Sequence, residues 1–194
     1  MPRLFVAIDP PLGIRERLAG LCCGLPGARW VEPEQLHLTL RFIGDVDGSM
    51  LRPVQEALAE VSAEAFSLQL EGIGFFPPRG NPRVVWVGIR KNEQLLRLHN
   101  RIESVLVRAG LEPEDRKYSP HITLARLKNT PATRIGAYLA QHGLFRTEEF
   151  PVKEFLLYSS VLNSRGARHS IEEGYPLDGA DHREEQKGTE PDQA

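Results

Sequence analysis

The chain has 194 residues, 41% of them hydrophobic, and a formal charge of −2. That suffices for a real core and is far from the basic excess of proteins that coat long nucleic acids. No apolar run nears the ~18 residues of a membrane span, and the N-terminus enters a strand-like run at once, leaving no room for a signal peptide, so a cytoplasmic location is expected.

In chain order, Arg3 to Ile8 reads as a strand. Asp9-Pro10-Pro11 then opens an amphipathic helix through about Leu25, with Leu18, Leu21 and Cys22 on one face. Cys22 and Cys23 are adjacent, which fits neither a disulfide framework nor a zinc site, and they are expected on that helix as small apolar residues. A short strand at 29–31 leads into a second strand ending near Ile43, where Gly44-Asp45 breaks it. Leu51, Val54, Leu58 and Val61 mark a helix face. Strands at 66–70 and 84–89 flank the turn-rich, exposed loop 77–82.

The second half repeats the plan. A helix carries Leu95, Leu98, Ile102, Val105 and Leu106 and closes near Gly110; a loop through 112–116 leads to another strand. A helix from 133 to 142 and strands at 155–162 and 168–175 follow. From Gly179 onward Asp181, Glu184, Glu185, Glu190 and Asp192 oppose only Arg183 and Lys187, so residues 1–178 read as a single domain and 179–194 as a disordered acidic tail. Short strands interleaved with helices argue for an α+β protein with helices outside and antiparallel sheets facing a groove.

What organises the chain is a duplicated tetrapeptide: His37-Leu38-Thr39-Leu40 and His121-Ile122-Thr123-Leu124. Each copy alternates apolar with polar residues, the signature of a strand whose His and Thr share one face. One His-Thr strand is ordinary, but packing alone would repeat the apolar positions and let the polar ones drift. Both copies on one groove would place His37 opposite His121, with room between for a small anionic group.

Two imidazoles across a substrate suit acid-base chemistry near neutral pH, one taking a proton and the other giving one. Threonine hydroxyls and an arginine fork can donate to the non-bridging oxygens of a phosphoryl group, and the second copy continues as Ala125-Arg126. Displacement at phosphorus follows. Neither strand offers a Ser or Cys nucleophile or a magnesium-type carboxylate cluster, so water activated by a general base is favoured, with no cofactor and no metal. By strand parity Arg126 turns away from His121 unless it lies past the strand's end, whereas Arg41 shares the face of His37 and Thr39 and could steer phosphate or be a solvated strand-end charge.

These residues carry a resemblance. Arg3-Leu4-Phe5-Val6-Ala7-Ile8-Asp9, Arg29-Trp30-Val31, His37 to Gly44, Pro82 to Gly88 and Pro120 to Arg126 together resemble the two-histidine (2H) phosphoesterase superfamily. Within it they resemble the bacterial and archaeal RNA 2′,3′-cyclic phosphodiesterases, historically named 2′-5′ RNA ligases of the LigT type. The resemblance implies a bilobal, pseudo-twofold fold with two antiparallel sheets lining a central cleft, and hydrolysis of a terminal ribose cyclic phosphate to a 2′-phosphomonoester. It implies His37 as proton donor to the departing O3′, His121 as the base that activates water, Thr39 and Thr123 as phosphate-binding hydroxyls, and a phosphate contact for Arg126.

Partners are then RNA ends or small cyclic-phosphate nucleotides, met by a monomer. A 2′-5′ ligase, an esterase for another small cyclic phosphate or a 2′-5′ oligonucleotide, and a non-catalytic RNA-binding module are the alternatives; two titrating groups argue against the last. Phe5, Trp30 and Trp86 are candidates to stack on a base or to lie in the core. His99 reads as structural, His142 and His169 as isolated, and His182 falls in the tail.

Overall fold

The computed structural model describes residues 3–163 and 166–179. Apart from Gly179, the predicted tail, with His182, lies outside the described residues. The first half runs β1 (Arg3–Ile8), α1 (Leu12–Ala19), β2 (Ala28–Trp30), β3 (Leu38–Asp45), α2 (Leu51–Ala59), β4 (Phe66–Leu68) and β5 (Leu70–Phe76). The second runs β6 (Val84–Ile89), α3 (Glu93–Arg108), β7 (His121–Leu127), α4 (Ala132–His142), β8 (Phe150–Val152), β9 (Glu154–Asn163) and β10 (Gly166–Pro176). Without β2 and β10 the two halves share one plan, strand-helix-strand-helix-strand-strand.

The halves exchange their last strands. β9 of the second half pairs with β1, and β5 of the first pairs with β6, giving the order β10-β9-β1-β3-β7-β6-β5, with β2 also on β7. All named pairings are antiparallel. The two expected antiparallel sheets are thus present as two halves, joined edge to edge through one registered pair, Leu38 with Ile122. β4 and β8, equivalent under the repeat, pair with each other in a separate two-stranded sheet.

Alternation along the strands decides which face the helices cover. Leu4, Val6, Ile8, Leu38, Leu40, Val85, Val87, Ile122 and Leu124 all project to one face, where Ile14 and Leu18 of α1, Val54 and Leu58 of α2, Leu98 and Ile102 of α3 and Ile135 of α4 bury them. α3 shows how the sequence achieves this. The Asn92 side chain caps the first turn by accepting from the Leu95 amide at 2.9 Å, and the apolar stripe Leu95, Leu98, Ile102, Val105, Leu106 is buried. At about 1.5–3 kcal/mol for each such side chain, burial outweighs the cap's ~1 kcal/mol. Phe5, Ala7, Leu156 and Tyr158 form a small second cluster on the opposite, uncovered face.

Two predicted elements differ. α1 stops at Ala19, where Gly20 takes over, so Cys22 and Cys23 follow the helix; Leu21 and Leu25 are still buried, but from irregular backbone. The strand predicted at 66–70 breaks at Gln69, and its second part runs on to Phe76. Gly72 and Gly74 hide that strand's pattern. A Cβ on Gly74 would lie 2.3 Å from the Trp86 ring directly across the ladder, so glycine is what lets the indole lie over β5.

Candidate active site

Register alone brings the two motifs together. Leu38 and Ile122 face each other in an antiparallel pair and point into the core, so in that register His37 lies beside Thr123 and Thr39 beside His121, all four on the opposite face. The pseudo-twofold axis passes through the junction. Both motif strands then carry the same irregularity one residue later. On β3, Thr39 opposes Ala7 but Arg41 opposes Val6, leaving Leu40 as an extra residue; on β7, Thr123 opposes Trp86 but Ala125 opposes Val85, leaving Leu124 extra. Each is a β-bulge.

The bulges leave ladder carbonyls to satisfy. His99 Nδ1 lies 2.8 Å from the Leu40 carbonyl, the Tyr118 hydroxyl donates to the Thr39 carbonyl at 3.1 Å, and the rings of His99 and Tyr118 stack at 3.9 Å. In the other copy the Val31 amide donates to the Leu124 carbonyl at 2.8 Å. His99 is structural, as its sequence setting suggests.

The bulges also reset side-chain parity. After Thr123, Leu124 and Ala125 are both buried and Arg126 is exposed, on the face of His121 and Thr123. Arg126 lies within β7; the bulge, not the strand's end, turns it toward the histidines. The same slip corrects the reading of Arg41 as a phosphate guide or solvated charge: Arg41 swings to the helix side, only 7% exposed, in ion pairs with Glu103 at 2.5 Å and Glu114 at 3.2 Å. It also donates to the Glu112 carbonyl at 2.5 Å, tying β3 to the loop that leads to His121. Phe42 takes the place equivalent to Arg126 and is 51% exposed.

The imidazoles are held alike. His37 Nδ1 lies 2.7 Å from the Gln35 carbonyl, and His121 Nδ1 lies 2.7 Å from the Ser119 carbonyl, two residues upstream in each case. A carbonyl only accepts, so Nδ1 carries the proton and Nε2 is left for chemistry in both rings. The hydroxyls of Thr39 and Thr123 make no side-chain hydrogen bond among the described residues, and neither does the Arg126 guanidinium. These five groups are free to meet a ligand.

Their surroundings differ. His37 packs at 4.9 Å on Phe5 and at 5.3 Å, edge-on, on His169, which corrects the reading of His169 as isolated. β10 brings it there, and no local pattern in the sequence announces that pairing. The His37 pKa is pushed down to about 4, chiefly by burial and to a lesser degree by His169 and Arg15, against the opposite pull of the Gln35 carbonyl and Asp9. Asp9 itself accepts from Arg15 and from the Tyr158 hydroxyl, both at 2.7 Å. His121 meets Phe76 edge-on at 5.0 Å and Trp86 at 6.0 Å. Of the proposed stacking residues, Phe5 is 4% exposed beneath His37, Trp30 sits on the core face near Tyr138, and Trp86, half-buried, lies beside His121. His142 packs on Tyr138.

The repeat is visible to comparison as well. The family described as LigT like Phosphoesterase matches residues 8–86 and again 87–168, one copy of the motif in each. The chain belongs to that family. It is 35% identical over 167 residues to the RNA 2′,3′-cyclic phosphodiesterase of Archaeoglobus fulgidus, a match covering 84% of this chain and 94% of that protein. Among solved structures, TT0787 of Thermus thermophilus matches with a TM-score of 0.78 and 30% identity over 92% of this chain and all of that one. E. coli LigT complexed with 3′-AMP matches with a TM-score of 0.73 and 28% identity, covering 92% and 99% of the two chains. This is a phosphoesterase with the LigT fold. Among the described residues no helix is long and apolar enough to cross a membrane, and no group of three His, Cys, Asp or Glu side chains could hold a metal ion.

Proposed function

We propose that this phosphoesterase hydrolyses the 2′,3′-cyclic phosphate at an RNA end to a 2′-phosphomonoester, by acid-base catalysis between His37 and His121. The observation that carries this reading is the matched anchoring of the two imidazoles, each presenting Nε2 beside the single junction of the sheet halves. His121 Nε2 takes a proton from water as its oxygen bonds to phosphorus; the P–O3′ bond breaks in line; His37 Nε2–H protonates O3′. Thr39, Thr123 and Arg126 donate to the non-bridging oxygens, whose charge grows in the transition state. No metal or cofactor takes part. Residues 1–178 form the catalytic unit, acting as a cytoplasmic monomer.

The burial of His37 bears on the roles. With a pKa of about 4 it is neutral in the free protein at pH 7, the state of a base rather than an acid. As proton donor it must therefore be recharged by the phosphodiester anion, which favours imidazolium when it enters between the rings. The mirror assignment, with His37 as base and His121 as acid, would instead break P–O2′ and leave a 3′-phosphate. Turnover of an oligoribonucleotide ending in 2′,3′-cyclic phosphate tests the proposal. Activity should persist in excess EDTA and fall sharply in His37→Ala and His121→Ala; dependence on one restored metal would overturn the metal-free mechanism, and full activity in either variant the paired-histidine one.

A further inference from the structure

The hairpin joining β5 to β6 bounds a pocket of about 730 Å³, wide open to solvent and lined by Phe76, Pro77, Pro78, Arg79, Asn81, Arg83 and Val84. Its volume is in the ~300–1,000 Å³ range of small-ligand sites. Three facts set it apart from a surface dimple. It adjoins the catalytic wall: Phe76 lies 5.0 Å from the His121 ring, and Val84 stands directly opposite Arg126 in the ladder. Its charge is one-sided, since Arg79 and Arg83 are exposed, make no side-chain hydrogen bond or ion pair among the described residues, and share the lining with no carboxylate. The rest of the lining is mainly apolar ring surface from Phe76 and two exposed prolines, Pro77 and Pro78.

Cations that follow a backbone beside ring faces that meet bases are how single-stranded nucleic acid is held without sequence preference. We propose that this cavity binds the penultimate nucleotide of an RNA end, with Arg79 and Arg83 on the phosphate that links it to the terminal, cyclic-phosphate-bearing residue and its base against Phe76, Pro77 and Pro78. This rests on the reading of the cleft as a site for RNA ends and narrows it: the preferred substrate is an oligonucleotide, not a cyclic mononucleotide. The other oligoanion sources, a free mononucleotide or a nucleoside triphosphate, would need only the cavity and would gain nothing from chain length.

The test compares adenosine 2′,3′-cyclic phosphate with the dinucleotide ApA ending in 2′,3′-cyclic phosphate, on the wild-type protein and on Arg79→Ala/Arg83→Ala. The wild type should favour the dinucleotide in kcat/KM by about tenfold, the worth of one to two charge-assisted contacts at an exposed site. The double variant should lose that preference while turning over the mononucleotide at the wild-type rate. For the dinucleotide, the slope of log kcat/KM against log salt should also become shallower by about 0.7, the loss of one phosphate contact on a single strand. Equal kcat/KM for both substrates in the wild type, or an equal loss for both in the variant, would overturn the proposal. A direct arm needs no turnover: binding of a 5′-fluorescein oligoribonucleotide, followed by anisotropy, should weaken about tenfold in the double variant. Should neither cyclic phosphate be hydrolysed, the catalytic reading fails, and the anisotropy result alone decides whether the cavity holds RNA.

Discussion

The two halves of the cleft share a backbone plan and differ in the side chains that surround each histidine. Across the first half, Phe42, Phe5, Tyr158 and Ile171 stand opposite one another on β3, β1, β9 and β10, an apolar row whose end members are 51% and 58% exposed. The equivalent row of the second half is Arg126, Val84 and Phe76 on β7, β6 and β5. Both histidines are tied to a carbonyl two residues back, and both strands bulge after the motif threonine. Yet one imidazole is desolvated by aromatic neighbours and the other shares its face with a guanidinium. Duplication supplied two equivalent imidazole positions; the packing around each makes them unequal, as the proposed acid and base must be.

The largest expected effect is on catalysis. His37→Ala and His121→Ala should each reduce kcat by about 10²- to 10⁴-fold, with far smaller changes in binding, as single-turnover rates would show. Next comes the residue by which the two bulges differ. Arg41→Ala copies Ala125 but strands Glu103 and Glu114, so urea unfolding should register a loss of about 3 kcal/mol. A loss within error would mean that these ion pairs of Arg41 are dispensable.

Exchanging the residues beyond the bulge sharpens the asymmetry further. Arg126→Phe, which copies Phe42, should cost about 10- to 100-fold in kcat/KM, the worth of one charge-assisted phosphate contact, whereas Phe42→Ala should stay near wild type. Comparable losses from the two would show that the second half does not own the anion site. The smallest effect is on stability against pH. The unfolded chain protonates His37 near 6.5 and the folded one only near 4, so the folded state loses stability as pH falls through that window. The full shift corresponds to at most ~3 kcal/mol, and partial exposure of the ring reduces it to about 1–2 kcal/mol. His37→Gln should flatten that slope in thermal melts at pH 4 and 6.5; an unchanged slope would place the titration elsewhere.

The duplicated motif made the fold legible and put four candidate residues, His37, Thr39, His121 and Thr123, on one face, because a period of two fixes which side chains share a face and because the repeat implies its own symmetry. Arg126 and Arg41 were harder for one shared reason. A bulge inserts a residue without any sequence mark, here at Leu40 and Leu124, and every parity argument downstream of it inverts. His169 was illegible in a different way: only the long-range pairing of β10 with β9 carries it to His37, and sequence neighbours say nothing of that. The glycines at 72 and 74 concealed β5, and with it the hairpin that walls the cleft beside His121.

The proposed division into an acid half and a base half is tested most directly by the regiochemistry of a single turnover in ¹⁸O-labelled water, with products resolved by mass spectrometry and ³¹P NMR. Attack by water from the His121 side with protonation by His37 should give a 2′-phosphate carrying one ¹⁸O and a free 3′-hydroxyl. A 3′-phosphate as the dominant product would contradict that assignment and make His37 the base.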